Sequence, residues 1–155
     1  MSMRVNENRM SDGFDRLLVL IAEDSDDDLI LLQRGLRRAG IRNPQINAVT
    51  GQEAILVLHH ALNSAPEEQR FPVILFLDLL MPEVSGLEVL EWLRDHEHPP
   101  ITVVLHTGVE DETLLQQARD LGANLFLPKG VTPDAIREVF RRARVEWEQY
   151  QLVQQ

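Results

Sequence analysis

Four apolar runs of this sequence each stop at a residue type that phosphate chemistry uses. The acidic pair Glu23 and Asp24 follows the first run, and Asp78 follows the second. Thr107 and Lys129 follow the third and the fourth. Because the carboxyl ends of parallel strands open onto one edge of a sheet, these distant residues would share one pocket. The runs are Arg16 to Asp24, Pro72 to Asp78, Ile101 to Thr107 and Ala123 to Lys129.

These residue types suit the transfer of a phosphoryl group. Three converging carboxylates repel one another, and a divalent cation is the simplest partner for Glu23, Asp24 and Asp78. Few oxygen ligands are available, which favours Mg²⁺ over Zn²⁺ or a caged Ca²⁺. Asp78 could also attack phosphorus, as carboxylates do when they form aspartyl phosphates. Lys129 and Thr107 would neutralise charge on the transferred group.

The elements that must hold these residues form five strand-helix units in succession. Apolar residues recur at helical spacing between the runs, and a short segment from Gln45 to Val49 indicates a further strand. The runs are rich in Leu, Ile and Val, as expected of strands covered on both faces. This predicts a doubly wound, flavodoxin-like α/β fold, (βα)5, whose parallel five-stranded sheet has the order 2-1-3-4-5. Pro128 lacks an amide donor and suits strand five at the edge.

Composition excludes several classes of function. The 155 residues, 44% of them apolar, suit one globular domain. A formal charge of -10 with scattered basic residues argues against binding to nucleic acid. Cysteine is absent, which excludes disulfides and thiolate metal sites, and no apolar run is long enough to span a bilayer. We expect a cytoplasmic protein without nucleic-acid or membrane partners.

The predicted boundaries are a flexible tail at residues 1–13 and one domain at residues 14–155 with an extended last helix. The tail is polar and lacks periodicity. In the last helix, Trp147 and Tyr150 continue the apolar pattern past its first half. We expect this aromatic pair to lie beyond the reach of the sheet and hypothesise that it forms a homodimer contact.

The sequence resembles the receiver domain of response regulators, the phosphoacceptor module of two-component signalling, from Leu17 to about Arg144. It is more similar to stand-alone receivers paired with bacterial phytochrome kinases than to the chemotaxis receiver. The motifs that carry the resemblance are Glu23-Asp24, Phe76 to Gly86 around Asp78, Thr107-Gly108, and Lys129 preceded by Phe126.

The resemblance implies a role and further site residues. Asp78 would accept a phosphoryl group from a sensor histidine kinase or a phosphotransfer protein with Mg²⁺ bound, and would lose it by slow hydrolysis. The Leu80 backbone carbonyl would be an additional metal ligand. Thr107 and Phe126 would act as switch residues that report the phosphate to the face made by the fourth helix, strand five and the last helix. The protein would be a signalling module that acts through protein contacts or a phosphorelay, not a classical enzyme.

Two features depart from the pattern of the family. Receivers usually follow the lysine with a proline in a cis bond, whereas Gly130 follows Lys129 here. A cis bond before glycine costs about 2.5 to 4 kcal/mol, so a trans loop of different shape is expected. Leu80 and Val109 place apolar groups where many relatives carry polar ones, which predicts a slowly hydrolysed phosphoform.

Alternative interpretations remain open from the sequence. A haloacid-dehalogenase-type phosphatase also uses an aspartyl nucleophile, but needs a second acid where Leu80 stands. A degenerate receiver would bind partners without being phosphorylated, and the altered loop at Lys129 favours it. Phe126 could merely pack at the sheet edge. The remaining acids of this region, Asp26, Asp27 and Asp28, are interpreted as first-turn residues on a helix dipole.

Overall fold

The computed structural model describes residues 13–63, 66 and 69–154. A short 3₁₀ turn at Phe14–Arg16 precedes the first strand. The strands are β1 Leu18–Ala22, β2 Gln45–Ala48, β3 Val73–Leu77, β4 Ile101–Leu105 and β5 Leu125–Phe126. The helices are α1 Asp26–Arg38, α2 Gly51–Asn63, α3 Gly86–Arg94, α4 Glu112–Asp120 and α5 Pro133–Val153.

The five strands form one parallel sheet in the order β2-β1-β3-β4-β5. This confirms the predicted fold class and strand order. The register aligns Ala22 with Leu77, Leu77 with Leu105, and Leu105 with Phe126. Since the last residues of these strands lie side by side, the segments that follow them emerge at one edge of the sheet.

The sheet is covered on both faces because alternate strand residues point to opposite sides. On one face Val19 and Ile21 pack with Leu36 of α1 and Ile136 of α5. The other face is covered by α2, α3 and α4, and its buried residues include Leu20, Leu75, Leu58, Leu90 and Leu115. Every residue of β1, β3 and β4 is buried, which explains why these runs lack polar alternation.

Side-chain caps fix the start of all five described helices close to the ends of the strands. Ser25, Thr50, Ser85, Asp111 and Thr132 each accept a hydrogen bond from a backbone N–H in the first turn of the helix that follows. A cap satisfies one of the free N–H groups at a helix start and stabilises the helix by about 1 kcal/mol. The loops between strands and helices are therefore short and defined at the edge where the polar residues lie.

The expectation that the aromatic pair of α5 lies beyond the sheet and awaits another subunit is wrong for Trp147. Its side chain is 0% exposed, and its ring centroid lies 5.2 Å from that of Tyr150. The 3₁₀ turn covers this part of the helix: Arg144 lies over the Phe14 ring at 4.6 Å, and Gly13 lies against Trp147. The chain itself therefore supplies the partner that the sequence pattern assigned to a second subunit.

The predicted flexible tail at residues 1–13 lies outside the described residues except for Gly13, which is buried. The helices within the described ranges include none that is both long and apolar enough to cross a membrane.

Candidate functional site

The residues singled out from the sequence lie just after the strands, at the edge where the strand ends are aligned. Glu23 and Asp24 follow β1 directly, and Asp78 follows β3 directly. Thr107 comes two residues after β4, and Lys129 comes three residues after β5. Four separate segments of the chain thus deliver polar side chains to one place.

Three acids form a group with the spacing of a metal site. One carboxylate oxygen each from Glu23, Asp24 and Asp78 lies within 4.8 Å of the others. Glu23 and Asp78 are buried, whereas Asp24 is exposed, so the group opens to solvent on one side. Hard carboxylate oxygens without nitrogen or sulfur ligands suit a cation that keeps part of its water shell, as Mg²⁺ does.

Asp78 is held by donors on both of its carboxylate oxygens. The Thr107 hydroxyl donates to Oδ1 at 2.8 Å, and the backbone N–H of Leu80 donates to the same oxygen at 3.0 Å. Lys129 Nζ lies 3.5 Å from Oδ2. Thr107 is itself oriented, because its hydroxyl oxygen accepts a hydrogen bond from the N–H of Val109 at 3.3 Å. Donors of this kind stabilise negative charge at a fixed position.

Lys129 connects three carboxylates. Its Nζ donates to Glu23 Oε1, to Asp28 Oδ2 at 3.1 Å and to Asp78 Oδ2 at 3.5 Å. None of the described peptide bonds is cis, so the Lys129–Gly130 bond is trans as expected. Gly130 takes a φ of 88°, which a side chain would rarely allow. The loop of altered shape therefore still brings Lys129 to Asp78.

Burial and charge shift the pKa values of three groups around Asp78. Burial raises the pKa of Glu23 above its ordinary value, although the hydrogen bond from Lys129 acts in the opposite direction. Burial lowers the pKa of Lys129, but its three acidic partners outweigh burial and raise it overall. Burial lowers the pKa of His106, whose Nδ1 lies 3.0 Å from the carbonyl oxygen of Leu127. The charged form of Lys129 is thus favoured, and the charged form of His106 is disfavoured.

A cleft of about 560 Å³ adjoins the site between α4 and β5. Thr107 and Lys129 form its wall on the side of Asp78, and Phe126 lies on the wall formed by β5. Phe126 is 48% exposed, so sheet-edge packing does not account for its whole side chain. Leu80 is 66% exposed beside Asp78, and Val109 is half-buried.

Asp28 is the residue of this cluster that the sequence interpretation missed. As predicted, it lies in the first turn of a helix, where its N–H donates to the Ser25 hydroxyl at 3.4 Å. Its carboxylate also contacts Lys129, which is 101 residues away. Sequence spacing could show that Asp28 follows the acidic pair closely, but not which side of the helix start faces the fifth strand.

The comparisons with known proteins agree on one family. The family model "Response regulator receiver domain" matches residues 19–141. The transcriptional regulatory protein SrrA of Staphylococcus aureus (strain NCTC 8325 / PS 47) is 31% identical over 126 residues, which are 81% of this chain and 46% of SrrA. The chain thus spans about half the length of the curated relatives it matches.

Solved structures of receivers share this fold. The signal receiver domain of the putative LuxO repressor protein from Vibrio parahaemolyticus has a TM-score of 0.66 at 27% identity, covering 84% of this chain and 95% of that chain. The bacteriophytochrome response regulator RtBRR has a TM-score of 0.66 at 28% identity, covering 83% of this chain and 77% of that chain. The Mn²⁺-bound form of response regulator Rcp1 has a TM-score of 0.60 at 25% identity, covering 82% of this chain and 88% of that chain.

Proposed function

This chain belongs to the response-regulator receiver domain family, and we propose that its Asp78 accepts a phosphoryl group from the phosphohistidine of a sensor histidine kinase or phosphotransfer protein. Receiver domains are signalling modules, which distinguishes the proposed role from that of a classical enzyme. One observation carries the proposal: Thr107 and Lys129 direct donors at the two different oxygens of the Asp78 carboxylate. The arrangement also argues against a degenerate receiver, because the lysine reaches the acceptor.

Receiver domains bind Mg²⁺ at an acidic pocket, and the acids of this chain fit such a cation. Glu23, Asp24 and Asp78, with the backbone carbonyl of Leu80, would hold Mg²⁺, which would supply positive charge against the phosphoryl oxygens. The carboxylate spacing supports the three acids as ligands, and the Leu80 N–H donates to Asp78 Oδ1 at 3.0 Å, so the backbone of Leu80 lies beside these acids. The three acids of this group and Asp28 carry four negative formal charges, and Lys129 carries one positive charge. The resulting net charge of -3 would be reduced by an added cation.

The transfer needs little covalent chemistry from the protein. An oxygen of Asp78 forms a bond to phosphorus while the phosphorus–nitrogen bond to the donor histidine breaks. The imidazole nitrogen keeps the electron pair of that bond and takes a proton from solvent. The Thr107 hydroxyl and the Lys129 ammonium would then donate to the phosphoryl oxygens and neutralise part of their charge.

The aspartyl phosphate would be hydrolysed slowly. An attacking water needs a polar side chain to orient it, and the side chains that flank Asp78 at this position, Leu80 and Val109, offer none. We expect the phosphorylated protein to persist well beyond seconds in Mg²⁺ buffer. Replacing Leu80 by Gln should shorten the lifetime of the phosphoform, and an unchanged lifetime would contradict this explanation.

Phosphorylation would change the shape of the cleft between α4 and β5, and this change would be the signal. Thr107 belongs both to the contacts of Asp78 and to the wall of this cleft. A shift of Thr107 toward a phosphoryl oxygen would therefore change the cleft, and the half-exposed Phe126 could turn into it. The output would be a protein contact or a further phosphotransfer. Such a role implies a cytoplasmic location, and the net negative charge disfavours nucleic acid as a partner.

A homodimer through α5 remains part of the proposal, on a smaller surface than the sequence pattern indicates. Trp147 is buried within the chain, but Leu152 and Val153 at the end of the helix are largely exposed. Replacing both residues by Asp in the full chain should convert a dimer to a monomer in sedimentation or light scattering. An unchanged mass in solution would remove this contact from the proposal.

The decisive test is modification of Asp78. Acetyl phosphate with Mg²⁺ should add one phosphoryl group to the wild type, measured by intact mass, and beryllofluoride should bind in its place. Asp78→Asn removes the nucleophile but keeps the size of the side chain, and it should not be modified. A wild type that stays unmodified, or a modification seen equally in the wild type and the variant, would contradict the proposed function and favour the degenerate receiver.

A further inference from the structure

Lys129 has one carboxylate partner that does not belong to the acid triad. Of its three described partners, Glu23 and Asp78 are members of the group within 4.8 Å that would hold a metal, whereas Asp28 is not. Asp28 Oδ2 lies 3.1 Å from Lys129 Nζ, closer than Asp78 Oδ2 at 3.5 Å. The contact joins the start of α1 to the loop that follows β5.

The two ends of this contact are held very differently. Asp28 is fixed by the first turn of α1, where its backbone N–H bonds to the cap Ser25. Lys129 lies in an irregular segment between the two-residue β5 and α5, beside Gly130 with its positive φ. A long lysine side chain on such a loop has many rotamers, and fixing its ammonium needs a partner on a rigid element.

We propose that Asp28 is a positioning residue that keeps the ammonium of Lys129 beside Asp78 when Glu23 is engaged by the metal. This inference rests on the proposed function. A divalent cation at the acid triad would compete with Lys129 for Glu23 and would repel the ammonium. Asp28 is the described partner of Lys129 that this competition leaves free, so it retains the lysine at the site.

The first-turn position alone does not explain Asp28. Asp26 and Asp27 share the same turn and the same favourable interaction with the helix dipole. Both are exposed, whereas Asp28 is half-buried and aimed at Lys129. A difference between substitutions at Asp27 and Asp28 therefore isolates the contact with Lys129 from the effect of charge at the start of α1.

The experiment compares Asp28→Asn with the matched variant Asp27→Asn in the full chain. The rate of phosphorylation by acetyl phosphate is measured at saturating Mg²⁺, and the affinity for Mn²⁺ is measured separately by paramagnetic resonance. Asp28→Asn should slow phosphorylation about tenfold, the lower end of what a hydrogen bond to a charged group contributes, since the contact is partly exposed. Asp27→Asn should match the wild type, and Asp28→Glu should recover most of the rate.

A double-mutant cycle shows whether Asp28 acts through Lys129. In a Lys129→Gln background, Asp28→Asn should slow phosphorylation by less than twofold, because the partner is already gone. An equal tenfold loss in that background would overturn the proposal, as would a faster rate in Asp28→Asn or a loss confined to Mn²⁺ affinity. A wild type that is not modified at all would instead contradict the proposed function.

Discussion

Replacing Thr107 by Val tests the hydroxyl that bonds to Asp78, and the chain supplies a close control for it. Thr107 is 2% exposed and donates to Asp78 Oδ1 at 2.8 Å. Thr102, at the start of β4, is also 2% exposed and donates to a carboxylate oxygen of Glu146 at 3.0 Å. The same substitution at both positions removes a buried hydroxyl that bonds to an acid.

The expected magnitudes follow from these contacts. A hydrogen bond to a charged group contributes about 1.5 to 3 kcal/mol, so both variants should lose free energy of unfolding in this range. Only the Thr107 hydroxyl can donate to a phosphoryl group on Asp78, because Thr102 lies five residues earlier in the chain, about 16 Å away along the strand direction. The rate falls only by the amount that the bond of this hydroxyl to the phosphoryl group in the transition state exceeds its present bond to Asp78. Since about 1.4 kcal/mol corresponds to a factor of ten in rate, a difference of that size should make Thr107→Val slower in phosphorylation by about tenfold.

The assay combines two measurements on each variant. Urea denaturation gives the free energy of unfolding, and intact mass during incubation with acetyl phosphate and Mg²⁺ gives the rate of phosphorylation. Thr107→Ser should keep most of the rate because it keeps the hydroxyl. The reasoning is refuted if Thr107→Val is phosphorylated as fast as the wild type, or if Thr102→Val slows to the same extent.

Three further predictions concern the surroundings of the site. His106→Asn keeps a donor for the Leu127 carbonyl oxygen but cannot be protonated. Because burial lowers the pKa of His106 in the folded protein, the wild type should lose stability relative to the variant as the pH drops below about 6.5. In urea titrations this loss should be at most about 1.4 kcal/mol per pH unit. Parallel pH profiles of the two proteins would contradict this. Gly51→Ala would place a Cβ 2.0 Å from the Val84 carbonyl oxygen, so unfolding free energy should drop by about 1 to 3 kcal/mol, and an unchanged urea midpoint would show that the backbone yields freely. Trp147→Ala should cost about 3 to 5 kcal/mol of stability without changing the mass in solution; a stable protein with altered mass would show that Trp147 itself contacts a second subunit.

The fold was predictable because its signals are local. The continuous apolar runs of β1, β3 and β4 identify strands buried on both faces, and helical spacing between them fixes the order of elements. A parallel sheet built from such units has few permitted arrangements, and strand five does lie at an edge, although it ends at Phe126 and Pro128 lies outside it. The comparisons confirm the family that these motifs indicate.

The candidate site was predictable in part for the same reason. Glu23, Asp24 and Asp78 sit directly after strands, so the topology alone brings them to one edge. Their roles in metal binding and phosphoryl transfer remain proposals. The reach of Lys129 could not be derived from its sequence position, because it depends on the path of a loop whose Gly130 adopts a left-handed conformation.

The sequence by itself determined the class of fold, the edge of the sheet that carries the chemistry and the residue types present there. Only the tertiary structure decided that Asp28 shares Lys129 and that Trp147 packs inside its own chain. The physical reason is that periodicity records which side of an element is apolar, but not which distant segment covers it. A carboxylate in a first helical turn and an aromatic residue near a helix end look the same in sequence whether solvent, the chain itself or another molecule lies against them.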